Sequence, residues 1–99
     1  MKLLEMKQLP EILYHLFWDI NLENFNPLEY PEYTISRILE FGDRDEINWM
    51  RNIFSESQIK DVVRSDKKLS PKSANFWAII FKIPSDEVFV LKNSGKKIL

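Results

Sequence analysis

The sequence predicts an all-α fold: a small single-domain bundle of about five helices. Two observations carry this reading. Apolar residues recur at three- and four-residue spacing in successive segments, with no sustained two-residue alternation. The segments are punctuated by helix-start signals, namely Pro10, Asp43 with Glu46, Ser55 with Gln58, and Ser70 with Pro71. Ninety-nine residues make one domain, and an apolar fraction of 44% with three tryptophans is enough for a real core.

Residues 1–9 are read as a flexible N-terminal arm and 10–91 as the helical domain. The first helix is expected from Pro10 to Trp18, with Ile12, Leu13, Leu16 and Phe17 at helical spacing. Asp19 to Pro31 is Asn- and Pro-containing and reads as a loop, pinned to the body by Ile20, Leu22, Phe25, Leu28 and Tyr30. A second helix spans about Glu32 to Phe41, with Ile35, Ile38 and Leu39 inward. Gly42 is expected to end it in a left-handed conformation. Asp43 and Glu46 have the spacing of a capping box and open a third helix, with Ile47, Met50, Ile53 and Phe54 inward.

Ser55 and Gln58 repeat that device for a fourth helix, whose inward residues are Ile59, Val62 and Val63. After a charged turn, Ser70 is a good N-cap and Pro71 a good first residue for a fifth helix to about Lys82. This helix carries two apolar stripes: Ala74, Trp77, Ala78 and Phe81, and then Phe76, Ile79, Ile80 and Ile83. Such a helix is either central to the bundle or covered on one side by a partner; the expectation is that it organises the core. Pro84 ends the pattern, Ser85 to Val88 add a turn, Phe89 to Leu91 pack back, and 92–99 form a basic flexible tail.

Several function classes are excluded by composition. There is no cysteine, so disulfides, thiolate metal sites and cysteine nucleophiles are absent; this favours the cytoplasm. The start of the chain is interrupted by Glu5, Lys7, Gln8, Pro10 and Glu11 and does not read as a signal peptide. The longest apolar run, Phe76 to Phe81, is far short of the roughly 20 residues needed to cross a bilayer, so no membrane role is expected. His15 is the only histidine. There is no Gly-rich phosphate loop, no nucleophile elbow and no calcium loop. Asp43, Asp45 and Glu46 are read as helix-start charges rather than cation ligands. No catalytic set, metal or cofactor follows, and the chain is read as a binding protein and not an enzyme.

The net charge of −1 conceals a division. Residues 1–58 hold five basic and eleven acidic residues, a net of −6, whereas 59–99 hold nine basic and four acidic, a net of +5. The segment 56–82 has the layout of a helix-turn-helix: a short helix, a polar turn and a second helix. Ser70, Lys72, Ser73 and Asn75 stand in the first turn of that second helix, where base edges would be read. Lys60, Arg64, Lys67 and Lys68 lie nearby in sequence for phosphates or for an acidic partner. Against this reading, the turn lacks glycine, and the second helix is apolar beyond Asn75. A plain helical hairpin of the core is the alternative.

Leu69-Ser70-Pro71-Lys72-Ser73-Ala74-Asn75-Phe76-Trp77-Ala78 resembles the most recognisable stretch of a family of small prokaryotic helical proteins. Leu16-Phe17-Trp18-Asp19, Arg37-Ile38-Leu39-Glu40-Phe41-Gly42 and Trp49 match as well, so the resemblance spans about residues 9–91. Members are often encoded beside nucleotidyltransferase-type toxins of abortive-infection systems. The resemblance implies an antitoxin-like or accessory role with such a toxin as protein partner, and it carries over no functional residues. DNA binding, as an autoregulator, is the alternative, and a homodimer is left open.

Overall fold

The computed structural model describes residues 11–18 and 25–92. The expected arm at 1–9, Pro10, residues 19–24 of the expected loop and the tail beyond Lys92 lie outside them. The chain is all-α, and no strand occurs among the described residues. A 3-10 helix at Glu11–Leu16 precedes four α-helices: α1 (Pro31–Phe41), α2 (Arg44–Ile53), α3 (Glu56–Ser65) and α4 (Pro71–Phe81). A second 3-10 turn, Ser85–Glu87, and a helical turn at 89–92 follow.

The first helix differs from expectation in its winding. With three residues per turn, positions i and i+3 fall in line. Leu13 and Leu16 are therefore both buried, as is Phe17, while Ile12 is left 45% exposed. Of the residues expected to pin the following loop, Phe25 packs on Phe17 and Tyr33, with ring centroids 5.3 and 6.0 Å away, and Leu28 packs against the core. Tyr30 is 55% exposed, and Ile20 and Leu22 lie outside the described residues. Asn26 closes the turn, its side-chain oxygen accepting from Leu28 N–H at 2.9 Å.

The element that organises the core is α1, the second predicted helix, and not the fifth. It touches the 3-10 helix, α2, α3 and α4. Ile35 and Ile38 have no exposed surface, and Thr34, equally buried, donates its hydroxyl to Pro27 O. Pro31 supplies the first helical residue without needing a donor.

Gly42 ends α1 by a different route from the one expected. Its φ of −77° and ψ of 148° are extended, open to any residue. Glycine is required by proximity, because a Cβ there would lie 2.7 Å from Ile38 O and 2.9 Å from Ile38 Cγ2. Gly42→Ala is expected to cost about 1–3 kcal/mol as an overpacking substitution, read as a lower urea midpoint with an unchanged slope.

The remaining helix starts follow the sequence signals. Glu46 reaches back to Asp43 N–H in a capping box and is itself buried. Ser55 Oγ accepts from Gln58 N–H, and Ser70 Oγ from Ser73 N–H, each at 3.1 Å. The one left-handed residue among those described is Lys82, with φ 59° and ψ 42°. Lys82 N–H donates to Ile79 O, and Ile83 N–H to Ala78 O, the paired bonds of a Schellman end. Buried Ile83 packs the exit and Pro84 prevents continuation.

Candidate partner-docking face on α4

Helix α4 is amphipathic in burial, though hardly so in sequence. Ala74, Trp77, Ala78 and Phe81 face the core. Trp77 fixes the helix against α1: its indole N–H donates to Leu39 O at 2.9 Å, and its ring stacks on Phe81 with centroids 5.7 Å apart. The second apolar stripe faces out. Phe76 is 54% exposed, Ile79 67% and Ile80 46%, while Ile83, past the helix end, is buried. Isolated exposed apolar residues are ordinary, but three on one helix face form a patch of the kind that marks interaction sites.

The first turn of α4 is held by Glu40 of α1. Its carboxylate accepts from Ser70 N–H at 2.9 Å, Ser70 Oγ–H at 2.9 Å and Ser73 Oγ–H at 3.1 Å. A carboxylate at a helix start satisfies free N–H groups and complements the dipole. Glu40→Ala would leave these donors to water and loosen the α1–α4 junction. The expected cost is about 1–3 kcal/mol, measured by urea denaturation, with Glu40→Gln retaining part of it.

The sequence-predicted contact residues are divided by this arrangement. Ser70 and Ser73 turn their hydroxyls to Glu40. Lys60 pairs with Glu56 at 3.0 Å, and Arg64 lies 3.3 Å from both Asp61 and Glu87. The Lys67 ammonium stands 5.4 Å from the Phe89 ring centroid. Lys68 is exposed in the turn, where Asp66 accepts from its backbone N–H at 2.8 Å. Lys72 and Asn75 are exposed on α4.

Beside the outer face runs a groove of about 490 Å³ between α1, α2 and α4. Leu39, Ile47, Phe76 and Trp77 line its apolar side, and Glu40, Ser70, Lys72 and Ser73 its polar side. Among the described residues, no cluster of three or more His, Asp or Glu side chains is placed to hold a metal, and no helix is long and apolar enough to cross a membrane.

Residues 12–63, from the first 3-10 helix through most of α3, match the model of a family of unknown function (DUF6922). The chain belongs to that family. The match covers the part of this DUF6922 chain that builds the α1-centred core and stops before α4. No curated protein and no solved structure matches the chain.

Two features of the site escaped sequence reasoning. Glu40 lies 30 residues from Ser70 and carries no local signal for the contact. The exposure of Phe76, Ile79 and Ile80 was half visible, because the double stripe allowed either a buried helix or one with an open side.

Proposed function

We propose that this DUF6922 chain is a non-catalytic binding module that takes a protein partner on the outer face of α4. It would act in an antitoxin-like or accessory role toward a nucleotidyltransferase-type toxin. The observation that carries the reading is the solvent-facing stripe Phe76, Ile79 and Ile80 on a helix whose opposite side is locked into the core. The helix is rigidly presented, since Trp77 and Glu40 tie its body and its start to α1. A preorganised apolar surface loses little freedom on binding, which favours affinity. The toxin as partner rests on the family resemblance of the Leu69–Ala78 stretch.

The second reading is DNA binding by the α3–turn–α4 unit, favoured by exposed Lys67, Lys68, Lys72 and Asn75. The same unit holds acids close by: Glu40 caps α4, and Asp61 and Glu87 pair with Arg64. That leaves a thin cationic surface for phosphate, so the protein-partner reading is preferred.

One experiment separates them. The chain is co-expressed with the product of the adjacent coding sequence, and the purified chain is titrated with promoter DNA at low and raised salt. The protein reading expects a stable complex and relief of toxicity. Absence of both would remove it. The DNA reading expects affinity that falls steeply with salt and weakens with Lys72→Ala and Asn75→Ala. An absence of low-salt binding would remove that one.

A further inference from the structure

We infer that the element docking on α4 is an amphipathic helix whose apolar stripe is flanked by acidic residues. This rests on the reading of α4 as a docking face and adds the chemistry of what covers it. Helix α4 contains no acidic residue. Lys72 stands one turn before Phe76 on the outer stripe, and Lys82, the left-handed residue just past the helix end, stands beyond Ile79; both are exposed. Neither lysine makes an ion pair among the described residues, whereas Lys60 and Arg64 on α3 are paired within the chain. The lysines are ten residues apart, about 15 Å along the axis and roughly 80° apart around it, so Lys82 stands on the flank of the stripe nearer Ile79. That is nearly three turns of a facing helix, so acids at both ends of a short apolar stripe would meet them.

The groove beside Phe76 gives the register. Its apolar wall of Leu39, Ile47, Phe76 and Trp77 suits one bulky apolar side chain, and Ile79 and Ile80 receive the next turn. Its polar side, where Glu40 is bound to Ser70 and Ser73, keeps acids off the groove and toward the ends of the stripe. A second copy docking by the same face is disfavoured. A two-fold pairing of α4 with α4 would set lysines against lysines; the helix itself has no acid, and the nearby Glu40 carboxylate is already bound to Ser70 and Ser73. Charge complementarity therefore selects an acidic helix from a different protein.

The test is a display library of helical 20-residue peptides, panned on the immobilised full-length chain. The apolar stripe is fixed and the flanking positions vary among Glu, Lys, Gln and Ser. Expected is a pool enriched in Glu at the flanks, binding about three- to thirtyfold tighter than its Lys-flanked counterpart at low salt. The preference should reverse on Lys72→Glu with Lys82→Glu, and vanish on Lys72→Gln with Lys82→Gln. Circular dichroism is recorded on each variant.

A pool that depends on Phe76 and Ile79 but shows no charge preference would overturn the acidic helix and leave the docking face standing. A pool indifferent to Phe76→Asp and Ile79→Asp, or no enrichment at all, would overturn both. Sedimentation showing a dimer abolished by Ile79→Asp would assign the face to a second copy and overturn the inference.

Discussion

Trp77→Ala is expected to remove about 3–5 kcal/mol of stability, the range for deleting a large buried aromatic. That is a large part of the roughly 5–15 kcal/mol available to a domain of this kind. Three losses coincide at this position. The ring is nearly buried and stacks on Phe81, so a cavity opens between α4 and α1. The indole N–H bond to Leu39 O disappears, leaving a carbonyl near the end of α1 without this donor. The edge-on contact with Phe76, at 5.1 Å between centroids, is also lost, so the outer stripe loses its support. Urea denaturation followed by far-ultraviolet circular dichroism reads the effect without relying on tryptophan emission. Trp77→Phe keeps most of the ring and should lose much less, which separates packing from the hydrogen bond.

The second large effect is on binding. Phe76→Asp combined with Ile79→Asp is expected to weaken partner capture more than about thirtyfold, since buried apolar anchors commonly contribute 2 kcal/mol or more each. The same pair should cost folding stability less than Trp77→Ala, about 1–2 kcal/mol, because Ile79 is 67% exposed and Phe76, though edge-on to Trp77, is 54% exposed in the free chain. The check is a binding titration and a urea melt on the same preparation. Equal losses in both would mean that the stripe belongs to the core.

The contrast between these substitutions marks where the sequence was legible. Local signals were reliable: Ser55 and Ser70 are the N-caps expected of them, accepting from Gln58 and Ser73 N–H, although at Ser55 only this half of the expected capping box forms. The interior of the α-helices was legible for the same reason, since Ile35, Ile38, Met50, Ile59 and Val63 recur at helical period and are buried. Features set by distant contacts were not. Gly42 was expected to be left-handed, but its need for glycine comes from the approach of Ile38; the left-handed residue is Lys82, held by two carbonyls of α4.

The central helix was also misjudged, for a physical reason. Helix α4 is the more apolar, but apolarity does not tell a helix covered on both sides from one with an open face. Only the placement of α1 against four neighbours resolves this. The candidate site was accordingly legible in part. The stripe was visible in the sequence. Its exposure and the Glu40 clamp required the fold.

Hydroxyl-radical footprinting of the chain, alone and with the product of the adjacent coding sequence, tests the central claim most directly. Phe76, Ile79 and Ile80 should be modified readily in the free chain and protected in the complex, with Trp77 and Phe81 slow in both. Protection of the stripe in the free monomer, or equal modification with and without the bound partner, would contradict a docking face on α4.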